Sequence, residues 1–122
     1  MKVLMLLLAL GGAAAVPAAH AQSVAGNWDA TLQTPGGPRT YRMSFEVKGD
    51  TLTGTVKRPS GDVALTGFVK GPLVKFSYTI NYNGSDLLIT VTATVTGDAM
   101  EGTVDYGGAA EDSFAAKRVS GP

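Results

Sequence analysis

The chain of 122 residues contains no cysteine and a single histidine, His20. Without cysteine no disulfide bond can form, so the fold must be held by side-chain packing and strand pairing. Zinc, copper and haem sites depend on cysteine and histidine ligands, and Ser-His-Asp and Cys-His catalysis needs an imidazole. We therefore expect no metal and no cofactor. An enzyme is the less favoured class, because it would have to use carboxylate, tyrosine, lysine, arginine or serine chemistry.

The chain also lacks an excess of charge of either sign, because 10 Lys and Arg residues balance 10 Asp and Glu residues. Neither sign is concentrated in a block. A nucleic-acid-binding domain presents a basic face to the phosphates. We therefore expect no nucleic acid partner.

Long apolar runs are missing except at the start of the chain. A positive charge at Lys2 precedes an apolar stretch from Val3 to Val16, and Ala19-His20-Ala21 supplies small residues where a signal peptidase cleaves. The stretch is shorter than the ~20 residues of a membrane span. We expect residues 1–21 to be a signal peptide. Residues 22–122 would then be a single domain of a periplasmic or secreted protein, with no transmembrane segment.

From Trp28 onward, apolar and polar residues alternate, and clusters of turn-forming residues interrupt the alternation at short intervals. This pattern is typical of antiparallel strands joined by hairpins. Seven such clusters predict eight strands. The predicted strands are residues 27–34, 40–48, 51–58, 63–70, 73–81, 87–96, 99–106 and 112–119.

Each predicted strand has one apolar and one polar face, because successive side chains point to opposite sides. A sheet with one apolar face must fold back on itself or close into a barrel to bury that face. Closure also removes the exposed strand edges that favour aggregation. We predict an all-β fold, an eight-stranded antiparallel up-and-down barrel. A two-sheet sandwich is the alternative, and the uniformly short turns favour the barrel.

Three segments share the motif apolar-x-Gly-x-Val, which places a glycine in mid-strand on the inward face. They are Leu52 to Val56, Leu65 to Val69 and Met100 to Val104. Glycine at such a position allows a strand to coil or makes room for a facing aromatic ring. Small inward residues also hollow out ligand cavities in barrels. Both interpretations stay open at the level of sequence.

Gly26-Asn27-Trp28 at the start of the first strand, together with Arg118 in the last, resembles the structural signature of calycins, the group of lipocalins, avidins and fatty-acid-binding proteins. In that group the tryptophan closes one end of the barrel, and a late Arg or Lys packs across its ring. The resemblance implies structural roles for Gly26, Trp28 and Arg118. A guanidinium over an indole contributes roughly 0.5 to 2 kcal/mol.

The chain departs from each calycin family in some respect. It is shorter than a lipocalin and lacks the Thr-Asp-Tyr motif, it has one tryptophan where avidins have several, and it shows no helical lid. It is also similar to small exported bacterial proteins with repeated Leu-Thr-Gly and Gly-Thr-Val motifs, a similarity that implies no particular function.

Large residues on the inward face either fill the core or form the walls of a ligand cavity. The predicted ligand-binding residues are Tyr41, Met43, Phe45, Phe76, Tyr78, Tyr106, Phe114 and Arg118. In a cavity of this kind, the tyrosine hydroxyls and Arg118 would be the polar groups that orient an otherwise apolar guest.

These observations support two hypotheses of different classes. The first is an exported, non-enzymatic protein that holds a small apolar or amphipathic ligand inside the barrel. The second is a solid barrel that acts as an interaction or inhibitor module on another exported protein, through residues 35–38 and 81–86. An enzyme such as a cyclase or isomerase would need a tyrosine or an acid of strongly perturbed pKa inside the barrel.

Two groups of charged residues outside the barrel interior are weaker candidates for a site. Glu101 and Asp105 alternate with inward residues, so we expect this carboxylate pair to face solvent. Arg39 and Arg42 lie close to the Pro-Gly-Gly-Pro turn, where they would either dock an anion or serve as ordinary surface arginines.

Overall fold

The structure is a computed structural model that describes residues 24–119. The predicted signal peptide, residues 1–21, lies outside the described residues. Within them the chain forms eight strands and no helix, which confirms the predicted all-β fold. The strands are β1 Gly26–Thr34, β2 Gly37–Lys48, β3 Thr51–Lys57, β4 Val63–Lys70, β5 Leu73–Tyr82, β6 Ser85–Thr96, β7 Ala99–Tyr106 and β8 Ala110–Arg118.

The strands form a closed barrel in which each pairs antiparallel with its neighbours in sequence and β8 pairs with β1. The predicted up-and-down topology is confirmed, and closure excludes the two-sheet sandwich. Trp28 in β1 lies directly opposite Arg118 in β8. No helix long and apolar enough to span a membrane occurs between residues 24 and 119.

Three strands begin two or three residues earlier than predicted, because the turns are tighter than the turn-forming clusters suggest. β2 begins at Gly37, β6 at Ser85 and β8 at Ala110. In the turn before β6, Asn83 has φ 54° and Gly84 has φ 86°. Positive φ at both central residues defines the two-residue hairpin turn whose twist matches that of the strands. The flanking residues therefore continue the ladder.

The alternation of turns gives the barrel two different ends. The end that carries Trp28, Arg118 and the two-residue turns at 49–50, 71–72 and 97–98 is called the closed end. We call open end the one that carries the connections at 35–36, 58–62, 83–84 and 107–109.

A network of contacts around Trp28 seals the closed end. The indole Nε1 donates a hydrogen bond of 3.0 Å to the carbonyl of Val24, which is itself buried. The guanidinium carbon of Arg118 lies 4.5 Å from the centroid of a Trp28 ring, and its Nε donates to Asp98 Oδ1 at 3.0 Å. A side chain at Gly26 would lie 3.3 Å from Arg118 Nη1, so glycine leaves room for the guanidinium. These contacts join the first strand to the last.

Three phenylalanines fill the middle of the barrel, which we call the waist. Phe45, Phe76 and Phe114 are all buried, with ring centroids 5.3 Å apart for Phe45 and Phe76 and 6.1 Å apart for Phe76 and Phe114. The rings of Phe45 and Phe76 meet at a tilt, and those of Phe76 and Phe114 meet edge to face. Aromatic quadrupoles favour both arrangements. The waist is therefore solid.

Each of these rings lies opposite a glycine of the repeated motif. Gly54 pairs with Phe45, Gly67 with Phe76 and Gly102 with Phe114. A Cβ at these glycines would collide with the carbonyl oxygens of Ser44, Lys75 and Thr92 respectively. The glycines thus allow close backbone approach beside a large ring, which is the first of the two interpretations, and they do not create a cavity.

Substitution of Gly67 by alanine should lower the free energy of unfolding by roughly 1–3 kcal/mol, because the new methyl group overpacks the β4–β5 ladder. Gly36→Ala is the matched control, since its Cβ would meet only side-chain atoms at ordinary contact distance, Arg39 Nη2 at 3.5 Å and Thr34 Oγ1 at 3.8 Å. Urea denaturation followed by the fluorescence of the single tryptophan measures both. Equal stability of the two variants would contradict the role assigned to Gly67.

Candidate functional site

At the open end, two hairpins extend beyond the part of the barrel in which each strand pairs with both of its neighbours. The β1–β2 ladder continues to Thr34 opposite Gly37, whereas β1 leaves β8 after Leu32 and β2 leaves β3 at Arg42. We call residues 33–41 the first hairpin. In the same way residues 78–88 form the second hairpin, because β5 beyond residue 77 pairs only with β6, and β6 before residue 89 pairs only with β5. The two hairpins are four strands apart in a ring of eight, so they face each other.

The space between the hairpins is a cavity of about 900 Å³, which we call the cup. Small-molecule sites generally enclose roughly 300–1,000 Å³. The residues that line the cup are mainly apolar or aromatic and include all four tyrosines of the chain. They include Leu32, Arg39, Tyr41, Arg58, Tyr78, Ile80, Tyr82, Leu87, Ile89 and Tyr106. The cup lies above the phenylalanine waist and opens to solvent between the hairpin tips.

A second depression, of about 470 Å³, lies on the outer wall between β1, β2 and β3. Its lining is mostly threonine, serine and glycine, with Glu46 as its one ionisable side chain. It lacks the apolar walls and convergent polar groups of a small-molecule site. The cup is therefore the candidate site.

The predicted ligand-binding residues fall into three places. Tyr41, Tyr78 and Tyr106 line the cup. Met43 and the three phenylalanines, Phe45, Phe76 and Phe114, are buried in the core beneath it and are absent from its lining. Arg118 lies at the closed end, where it contacts Trp28 and Asp98. It therefore belongs to the closure of the barrel, and a guest in the cup would not reach it.

Comparison with known proteins finds no match: no family model, no curated protein and no solved structure. The closed eight-stranded antiparallel barrel is consistent with a calycin-like barrel. Since one fold hosts many functions, the function must be argued from the cup itself.

The cup contains functional candidates that sequence reasoning missed as site residues, above all Arg58 and Tyr82. Alternation predicts which way a side chain faces but not its height along the barrel axis. The positions of the turns in the sequence could have identified these residues, because the connections at 35–36, 58–62, 83–84 and 107–109 all lie at one end of the barrel. Inward residues next to these four connections therefore share that end.

Arg39 and Arg42, the two arginines near the first turn, have different surroundings. Arg39 lies on the rim of the cup. Arg42 points away from it, and its Nε donates a hydrogen bond of 2.6 Å to Asp29 Oδ1 on the outer wall. Of the two, only Arg39 is placed to meet a guest.

The carboxylates of β7 are not part of the cup. Glu101 is exposed, and Asp105 accepts a hydrogen bond of 2.9 Å from the backbone N–H of Gly108, which stabilises the β7–β8 turn. In the part of the chain from residue 24 to 119, no group of three or more His, Cys, Asp and Glu side chains is arranged to hold a metal ion.

Tyr106 bridges a gap in the barrel wall at the open end. Beyond Leu32 opposite Phe114, β1 and β8 no longer pair. The Tyr106 hydroxyl donates a hydrogen bond of 2.6 Å to the carbonyl oxygen of Gln33, just past the last backbone pair. A side chain from β7 thus reaches β1 where the β1–β8 backbone ladder ends, and it fixes one side of the first hairpin.

Tyr78 is the most deeply buried tyrosine of the cup, with 4% of its surface exposed. Burial, helped by the neighbouring Tyr41 and Tyr106, raises the pKa of its phenol above the ordinary value of 10.0, and the positive charge of Arg58 opposes the rise. Burial followed by the charge of Asp112 also raises the pKa of Tyr106. Near neutral pH both phenols therefore stay protonated and keep a proton with which to donate a hydrogen bond.

Replacement of Tyr106 by phenylalanine should lower the free energy of unfolding by about 0.5–1.5 kcal/mol, because the Gln33 carbonyl loses its donor. Amide hydrogen exchange should also become faster in residues 33–41. Tyr82→Phe is the control, since the Tyr82 side chain is 60% exposed. If the control changes stability as much as Tyr106→Phe, the bridging bond has no special role.

Tyr78 should make the barrel less stable in alkali. Above about pH 10 the unfolded chain releases a phenol proton that the folded chain keeps, so the free energy of unfolding falls by up to about 1.4 kcal/mol per pH unit. Below that pH both states hold the proton and this contribution is constant. Urea denaturation between pH 8 and about 11 should show a shallower decline for Tyr78→Phe than for the parent protein. Parallel pH profiles would contradict this linkage.

Proposed function

We propose that this protein is an exported, non-enzymatic binding protein that holds a small amphipathic molecule in the cup. The observation that carries the proposal is a cavity of about 900 Å³ with apolar walls at one end of a barrel whose waist is solid. A filled waist gives the guest a floor, and the two facing hairpins give it walls. Pockets of this size and lining bury most of the surface of a small ligand.

The chemistry of the lining supports binding over catalysis. The ionisable side chains that line the cup are arginines and tyrosines, with no Asp, Glu, Lys or His among the described lining residues. An enzyme would need a base, yet the raised pKa of Tyr78 keeps its phenol neutral at physiological pH. The perturbed tyrosine is therefore suited to donate a hydrogen bond to a guest.

The calycin-like identity and the export of the protein are part of the same proposal. The stacking of Arg118 on Trp28 at the closed end supports the first. The positive start and small residues before Gln22 support the second. The mass of the protein recovered from a bacterial periplasm would test cleavage, since it should correspond to residues 22–122.

The second candidate function, a protein-interaction module, is favoured by one observation on the second hairpin. Tyr82, next to the turn at residues 83–84, is 60% exposed, and Leu88, farther along the outer face of the same hairpin, is 51% exposed. Exposed apolar side chains at a loop tip are common in interaction surfaces. The interaction-module hypothesis predicts a filled barrel interior. The packed waist agrees with that prediction, whereas the open cup does not.

A pair of neighbouring substitutions tests the cup directly with N-phenyl-1-naphthylamine, a neutral probe that fluoresces in apolar surroundings. The parent protein should bind it with a dissociation constant on the order of 10 μM. Leu87→Trp should weaken binding at least tenfold, because Leu87 lines the cup and the larger ring fills it. Leu88→Trp is the matched control, since the side chain of Leu88 is 51% exposed and absent from the lining.

Two results would refute the cup as a binding site. One is the absence of saturable probe binding to the parent protein. The other is equal weakening by Leu87→Trp and Leu88→Trp, which would place the probe on the exposed hairpin and favour an interaction surface.

A further inference from the structure

Arg58 is a half-buried cation of the cup that has no acidic partner among residues 24–119. It follows directly after β3 and lines the cup, with its guanidinium carbon 5.7 Å from the centroid of the Tyr41 ring. Its neighbour Lys57 instead approaches Asp62 at 3.4 Å on the outside. Between residues 24 and 119 the ion pairs are Arg42 with Asp29, Lys57 with Asp62 and Arg118 with Asp98, so Arg58 takes part in none.

Tyr78 supplies a nearly buried hydroxyl that faces the cup. The side chain is 4% exposed and its ring lies 6.4 Å from that of Phe76, which fixes its position above the waist. The hydroxyl makes no hydrogen bond to any residue from 24 to 119. No buried side-chain polar atom in that range lacks a partner, so the oxygen of Tyr78 must remain accessible from the cup.

The three side chains line the cup from two sides, with Tyr41 and Arg58 on one side and Tyr78 in the facing hairpin. Arg58 lies beside Tyr41, and its charge also acts on Tyr78. Together they offer a planar cation and two phenol groups, and the described lining of the cup contains no carboxylate to neutralise them. A partly buried charge is unfavourable unless it is paired. An acidic group on the guest would supply the missing partner.

We propose that the cup binds an anionic amphiphile, whose acidic group contacts Arg58 and the hydroxyls of Tyr41 and Tyr78. This inference rests on the proposed function and specifies the class of ligand: an organic acid with an apolar body. The fork of N–H donors on a guanidinium matches the two oxygens of a carboxylate. The apolar body lies against Leu32 and Ile89, which line the cup with their side chains nearly buried.

Three competitors that share a ten-carbon alkyl skeleton but differ in the charge of the head group test which charge the cup prefers. Each is used to displace bound N-phenyl-1-naphthylamine. The competitors are decanoate, decanol and decyltrimethylammonium. Decanoate should bind at least tenfold more tightly than decyltrimethylammonium. Arg58→Gln should weaken decanoate about tenfold, or about 1.4 kcal/mol, and change decanol less than twofold. Arg58→Lys keeps the positive charge but loses the planar fork of N–H donors. Its affinity for decanoate should therefore lie between that of the parent protein and that of Arg58→Gln.

Arg42→Gln is the matched control, because it removes the same charge from the outer wall, where Arg42 bonds Asp29. Its decanoate affinity should equal that of the parent protein. The assignment is overturned if decanoate and decyltrimethylammonium displace the probe equally, or if Arg42→Gln and Arg58→Gln lose the same affinity. In either case the probe still binds and Leu87→Trp still blocks it, so failure of the acidic subsite is distinguished from failure of the cup.

Discussion

Three aromatic rings packed against three glycine-bearing strands decide which part of the barrel interior is solid. Phe45, Phe76 and Phe114 meet at the waist, and the glycines opposite them allow the strands to approach more closely than any side chain would permit. An eight-stranded barrel is just wide enough to be filled or to hold one small molecule. Here the interior is filled at the waist and open at the cup, because the rings stop below the open end.

The waist separates two ends with different chemistry. At the closed end, the stacking of Arg118 on Trp28 and the hydrogen bonds of both side chains reinforce the backbone ladder between the first and last strands. At the open end, backbone ladders stop before the strands do, and side chains such as Tyr106 take over the contact between strands. Each hairpin wall of the cup therefore rests on one backbone ladder, whereas the strands below it pair with neighbours on both sides.

The fold was largely predictable from the sequence, and the site only in part. Alternation in segments such as 74–80 predicts strands, and the pairing of Trp28 with Arg118 follows from closure. Tyr41, Tyr78 and Tyr106 were correctly expected to face inward, but so were the phenylalanines that form the waist. Alternation with period two defines a face, whereas height along the axis depends on the stagger between strands, which no local pattern encodes. Arg58 was missed for the same reason.

The two facing hairpins have a consequence for how such a protein diversifies. Each is a single continuous stretch of sequence, residues 33–41 and 78–88, and neither contains a phenylalanine of the waist or a residue of the Trp28–Arg118 closure. Most of the lining of the cup and the rings of the waist thus lie in different segments of the sequence. Under the proposed function, mutation of the hairpin residues that line the cup would change guest preference while leaving the waist and the Trp28–Arg118 closure intact, as variable loops do on a conserved scaffold.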